Sequence, residues 1–336
     1  MKNPTKITFR FLCALLCAAA LLAVFSACEV RFSNESDKKE GLYIVCTIFP
    51  QYDFVKNIVG DLATVELLMP PGSETHNFGL KDISAQKLNE LFDADLIVGV
   101  GGESDKGFLE DLQKALPADM KFVRITSYLS ELLDELETAG MSVDGEEEEE
   151  EEDEEGFDEH VWTSPKRAIE IVNGLVNEIS ALDGEHKDAY KANADAYIAQ
   201  LQELDAEFEA VTAAKTVDTL IFADRFPFRY LCYDYGVKAD AAFQGCSSSI
   251  EPSTATLDYL YKKAAELKVP AILYMEGSKP VYAQNLAQKV GAEALMLHSC
   301  HIVSEKEFNE ETYISLQRKN IEVLKTALGV KSEEAV

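Results

Sequence analysis

The residues of this 336-residue chain best suited to chemistry are its five histidines, His76, His160, His186, His298 and His301. Neutral imidazole is the commonest zinc ligand, and three imidazoles with one carboxylate satisfy a tetrahedral site. His76 follows an apolar run and the turn Pro70-Pro71-Gly72-Ser73-Glu74-Thr75, and His160 ends an acidic block just before Val161-Trp162-Thr163-Ser164-Pro165. His298 and His301 stand in Leu297-His298-Ser299-Cys300-His301, after another apolar run. These four fall just past the carboxyl ends of expected strands or beside a domain boundary, where open α/β sheets bind ligands. His186, between Glu185 and Lys187-Asp188, reads as a solvated residue at a helix start. No C-x-x-C pair or HExxH motif is present, so spacing alone leaves each lone histidine between a ligand and an ordinary hydrogen-bonded residue. Glu276, in Tyr274-Met275-Glu276-Gly277-Ser278, is a further candidate donor that reads equally as a turn carboxylate. Cys300 is either a thiolate donor or a small core residue. A shell of neutral imidazoles favours Zn2+ over Mn2+ or magnesium, which prefer oxygen.

The elements that must position these residues read as an α/β chain. Compact apolar runs predict strands at 42–48, 64–69, 96–100 and 121–125, then at 219–223, 238–243, 271–275 and 294–298. Helical patterns lie between them at 54–58, 84–91 and 108–115, and again at 228–235, 254–267, 281–290 and 311–328. Strands alternating with helices imply mostly parallel sheets covered on both faces. Between the two sets, apolar spacing from Pro165 to about Thr212 predicts two consecutive helices, the second, 185–211, long enough to act as a rigid spine. The expected architecture is two lobes, each with a mostly parallel four-stranded sheet flanked by helices, joined by that spine. No sequence repeat relates the two halves.

Charge narrows the function further. Asp and Glu number 60 against 31 Lys and Arg, a formal net charge of −29, which excludes nucleic acid as a partner because phosphate binding needs a basic face. Residues 144–159 hold 13 acidic and no basic residues, with seven consecutive glutamates from Glu146 to Glu152; mutual repulsion keeps such a block open and solvated. At the amino end, Lys2, Lys6 and Arg10 precede an apolar run of 15 residues, Phe11 to Phe25, and then Ser26-Ala27-Cys28, the pattern of a secretory signal. Residues 29–40 are polar and read as a flexible tether. Once the signal is removed and Cys28 set aside, Cys46, Cys232, Cys246 and Cys300 remain, too few for a disulfide scaffold, with one bridge left open.

Several of these segments resemble known motifs. Phe25-Ser26-Ala27-Cys28 is similar to a bacterial lipobox, with Phe25 at the usual leucine position; the resemblance implies a lipid on Cys28 and anchorage to the outer face of the cytoplasmic membrane. From about residue 41 to 329 the chain resembles the cluster A-I substrate-binding lipoproteins of bacterial ABC transporters, which capture zinc or manganese. Pro71-Gly72-Ser73-Glu74-Thr75-His76-Asn77-Phe78 is similar to that family's first metal loop, with Thr75 for proline, and Asp158-Glu159-His160-Val161-Trp162-Thr163-Ser164-Pro165 to its second. At the third position, Ala223-Asp224-Arg225-Phe226-Pro227-Phe228-Arg229-Tyr230 places Arg225 where the family carries a ligand, and a guanidinium cannot coordinate. Asp224 either substitutes for the missing ligand or pairs with Arg225. The fourth position aligns with His301, or with His298 after a short gap.

The resemblance therefore implies an exported, lipid-anchored, monomeric receptor that captures zinc between two lobes and delivers it to an ABC-transporter permease. Its expected ligands are His76, His160 and His301, completed by His298 or Asp224, with Glu276 as the weakest candidate. The expected organisation is a signal at 1–28, a tether at 29–40, one α/β lobe at 41–143 and an acidic mobile loop at 144–159. The second metal loop and spine follow at 160–212, and a second α/β lobe at 213–330. The acidic loop either gathers zinc weakly or is a linker without a role. Manganese selectivity is the alternative within the family, and a metal-binding surface adhesin the alternative outside it. A zinc hydrolase would need a general base at a metal-bound water, for which Glu74, Glu159 and Glu276 have no particular support, so no enzyme activity is expected.

Overall fold

A computed structural model of the chain describes residues 41–73, 78–136, 140–141, 156–243 and 251–331. The signal, the tether, Cys28, His76, Cys246 and the acidic run up to Glu155 lie outside the described residues.

The first sheet contains β1 (Leu42–Cys46), β2 (Ala63–Leu67), β3 (Leu96–Gly99) and β4 (Phe122–Arg124) in the order β2-β1-β3-β4. The second contains β5 (Thr219–Phe222), β6 (Lys238–Ala241), β7 (Ala271–Met275) and β8 (Glu293–Leu297) in the order β6-β5-β7-β8. Every strand pair is parallel, so the expected mostly parallel sheets are wholly parallel. The two orders are the same, and each changes direction beside its first strand. In such sheets the crevice for a ligand opens at the carboxyl ends of the strands. β1 is buried at all five positions, as a central strand covered on both faces must be.

Helices α1 (Phe49–Val59), α2 (Ala85–Leu91) and α3 (Glu103–Ala115) belong to the first half. α1 starts five residues before its expected beginning because Pro50 sits in its first turn, where the missing N–H has no intrahelical partner to lose. Next come α4 (Pro165–Leu182) and the 27-residue spine α5 (Lys187–Ala213). The second half adds α6 (Arg229–Asp234), α7 (Thr254–Leu267), α8 (Val281–Val290), α9 (Glu305–Glu310) and α10 (Tyr313–Ala327). The expected helix 311–328 is α10, and α9 just before it was not expected. Ser304 and Glu307 form a capping box that starts α9, and the Thr312 side chain caps α10 afresh.

The spine packs against α1 on one side and α10 on the other. Asn193 donates to the Ile58 carbonyl (3.0 Å), and Arg318 pairs with Glu207 (3.1 Å). The Tyr197 hydroxyl donates to Asp53 Oδ2 (2.8 Å), a carboxylate buried in α1 that also accepts from the Asn57 amide and the Tyr313 backbone. Burial pushes the Asp53 carboxyl up to about 6, and the hydrogen bonds from Tyr197 and Tyr313 offset this only in part.

The folded protein thus holds this proton more tightly than the unfolded chain does. The stability contributed by Asp53 rises as pH falls from 6 toward 4 and is lost as pH rises through 6. Relative to wild type, Asp53→Asn should therefore gain about 2–3 kcal/mol between pH 4 and pH 7. Urea unfolding at the two pH values measures this. A difference that stays constant would show that Asp53 titrates alike in both states.

Candidate metal centre

The loops that carry the candidate ligands meet at the carboxyl ends of the strands. After β2 the chain turns through Pro70-Pro71-Gly72, and the Gly72 N–H donates to the Val303 carbonyl (2.8 Å) in the loop after β8. Gly72 has φ +82°, a conformation that glycine adopts without penalty. A narrow cleft follows, lined by Phe49, Met69, Gly72, Ser73 and His301 among others. His76 comes three residues beyond Ser73, outside the described residues.

His160 is 2% exposed. Its backbone N–H donates to Asp158 Oδ1 (2.8 Å), and its ring Nδ1 lies 3.1 Å from the same oxygen. A carboxylate only accepts, so Nδ1 carries the proton and the lone pair of the neutral ring is on Nε2, the arrangement that orients a metal-binding imidazole. Glu159, buried beside it, occupies the space that the glycine turn after β3 leaves open. A Cβ on Gly102 would come within 2.3 Å of the Glu159 Cβ, so the Gly101-Gly102 pair does more than end a strand.

Trp162 follows in a short 3-10 turn, Val161–Thr163, and is wholly buried. Its indole donates to the Ser299 carbonyl (2.8 Å), and its own carbonyl accepts from the Tyr313 hydroxyl (2.6 Å). These bonds draw the loop after β8 onto the segment that carries His160. The result is a triangle of rings. His301, 4% exposed, lies 5.4 Å from His160 and 5.3 Å from Trp162 between centroids, and His160 lies 5.4 Å from Trp162.

The remaining candidates have other partners, although His298 Nε2 is buried without a hydrogen bond. His298 is buried, and its Nδ1 accepts the Cys300 N–H (2.9 Å), which places its ring proton on Nε2, 3.4 Å from Glu307. Asp224 accepts from the Arg225 and Met275 backbone N–H groups (2.8 and 3.0 Å), joining the ends of β5 and β7. Arg225 donates to the Ser278 hydroxyl (2.9 Å). The Glu276 carboxylate accepts from Ser299, His301 and Ile302. Cys300 is fully buried, with Sγ facing the Gln317 amide (3.9 Å), and burial drives its thiol well above the ordinary range, as for a core residue. Cys46 and Cys232 are likewise buried and unbridged. Among the described residues no group of three or more His, Cys, Asp or Glu side chains is arranged to hold a metal ion. What the fold assembles is the pair His160 and His301. Asn320 and Ser299, which fasten the loop, escaped sequence reasoning because neither stands in a pattern that marks a contact.

The chain is similar to proteins of a known family. The ZnuA family model, described as zinc-uptake complex component A, periplasmic, matches residues 44–327. The zinc-binding lipoprotein AdcA of Streptococcus pneumoniae is 33% identical over 312 residues, covering 92% of this chain, which spans 60% of that relative's length. The high-affinity zinc uptake system protein ZnuA of Bacillus subtilis is 31% identical over 322 residues, covering 95% of this chain and 98% of its own. Among solved structures, the Zn(II)-bound ZnuA-like domain of S. pneumoniae AdcA superposes with a TM-score of 0.67 at 30% identity, covering 86% of this chain and 99% of that one.

Trp162→Phe keeps an aromatic side chain but removes the indole donor and part of the buried ring volume, leaving the Ser299 carbonyl without that bond. The expected cost is about 1–3 kcal/mol of stability, read from urea unfolding. A loss under about 0.5 kcal/mol would mean that the two segments are held together without this bond.

Proposed function

Because this chain belongs to the ZnuA family of zinc-uptake components, we propose that it is the extracytoplasmic receptor of an ABC importer, binding zinc through His76, His160 and His301 and handing it to the permease. The observation that carries this reading is the facing pair of buried imidazoles, His160 and His301, contributed by two distant segments. The Asp158 carboxylate supports it by fixing the His160 tautomer. His76 is included because Pro71-Gly72-Ser73-Glu74-Thr75-His76-Asn77-Phe78 resembles the family's first metal loop. Imidazole donors favour zinc over manganese.

The protein captures and releases an ion and carries out no reaction on it. The secretory signal and Cys28 support export and attachment by lipid to the outer face of the cytoplasmic membrane. The acidic run at 146–155 raises the local concentration of cations before the tight site takes one. His298 and Asp224 serve the loop and the strand ends, outside the zinc shell.

Competition titration of the full-length protein with a chromogenic chelator should find one tight zinc per chain and much weaker manganese. His160→Ala and His301→Ala should each weaken zinc by more than about 100-fold, beyond the usual effect of losing a supporting residue. Imidazoles must be deprotonated to bind, so affinity should fall from pH 7.5 to pH 5.5 by about 10-fold per histidine ligand. Equal affinities at the two pH values would rule out an imidazole site. Delivery is read from growth: deleting the gene should slow growth under zinc chelation only in cells that retain the permease.

A further inference from the structure

Glu276 directly follows β7 and is 5% exposed, and the loop after β8 wraps around its carboxylate. Oε2 accepts the Ser299 N–H (2.7 Å). Oε1 accepts the Ser299 hydroxyl and the N–H groups of His301 (3.2 Å) and Ile302 (3.3 Å). Cys300, in the middle of this loop, has φ +63°, one of two non-glycine residues at positive φ among the described residues. A left-handed residue within a short segment turns successive N–H groups toward one point and forms a concave anion site, a nest. Here the anion is the chain's own carboxylate.

The rest of the loop is fastened just as closely. The Asn320 side-chain amide accepts the His298 N–H (2.8 Å) and donates to the His298 carbonyl (2.7 Å), as a neighbouring strand would. The His298 ring accepts the Cys300 N–H, and the Gly72 N–H binds the Val303 carbonyl. Between these anchors, the backbone of His301 itself is bonded to Glu276.

We propose that Glu276 is a positioning residue for zinc binding: its carboxylate organises the nest at 299–302 and thereby aims the His301 imidazole at His160, without contacting the ion. This rests on the zinc-receptor reading above. A carboxylate has about four lone-pair sites. All four donors to Glu276 come from this loop, three on Oε1 and one on Oε2, so the carboxylate is committed to backbone and hydroxyl donors. The same four bonds let an anion lie buried at this place, since an unbonded buried charge is strongly disfavoured. Glutamine would fit the space but would turn an NH2 group toward N–H donors.

The test compares wild type, Glu276→Gln and the milder Ser299→Ala in the full-length protein, by two routes. In the metal-free protein, amide hydrogen exchange at Ser299, His301 and Ile302 should quicken at least about 10-fold in E276Q, with amides of the β1 core unchanged. In zinc titration, E276Q should weaken binding about 10–100-fold and S299A less, while X-ray absorption of the loaded forms counts the same imidazole ligands as wild type. Loss of an oxygen ligand in E276Q would make Glu276 a ligand and overturn the proposal. Zinc affinity within twofold of wild type, or exchange at 299–302 unaltered, would overturn it as well. Failure of wild type to bind zinc would remove the receptor reading and with it the zinc role of Glu276, while the exchange data would still report whether the carboxylate holds the loop.

Discussion

The hydrogen bond from the Trp162 indole to the Ser299 carbonyl joins two segments 137 residues apart in sequence. A buried indole N–H must find an acceptor, and a buried carbonyl a donor, so each partner constrains where the other can go. His160 lies two residues before Trp162 and His301 two residues after Ser299. The bond therefore brings the two imidazoles together as a consequence of satisfying the core. The Tyr313 hydroxyl, bonded to the Trp162 carbonyl, ties the first turn of α10 to the same point.

Around the junction the architecture is a repetition. Two parallel sheets share one strand order, and both present their carboxyl ends with the irregular loops that carry chemistry. Between them, α5 is bound to α1 through Asn193 and Tyr197 and to α10 through Glu207. Arg167 adds a two-point ion pair with Asp234 (2.9 and 2.8 Å), fastening the first turn of α4 to the second half. A rigid helix with polar bonds to both halves suits a receptor that must keep its ligands in register and yet release an ion.

In the proposed receptor, selectivity and attraction come from different parts of the chain. A net charge of −29 draws any cation, with no preference among metals. Neutral imidazoles add no charge but favour zinc. Arg225, at the position where the resemblance predicts a ligand, is bonded to Ser278 and beside Asp224, and so forms part of the scaffold at the ends of β5 and β7.

Much of the fold was legible in the sequence. Apolar runs such as Leu42–Cys46 and Ala271–Met275 marked buried parallel strands, and the apolar spacing from Pro165 onward marked the spine, because these signals are periodic and local. Boundaries were missed where a local device competes with the pattern. Pro50 starts α1 early, and the capping box of Ser304 with Glu307 starts α9, a short helix ahead of the expected one. For the site, the sequence determined which residue types were available and that His160 and His301 lie in loops beside strands. Only the tertiary structure placed His301 beside His160 and made Glu276 and Asp224 acceptors for backbone N–H groups. Those choices depend on which distant donor reaches a carboxylate or a ring nitrogen, and no local spacing encodes a bond between residues such as Trp162 and Ser299.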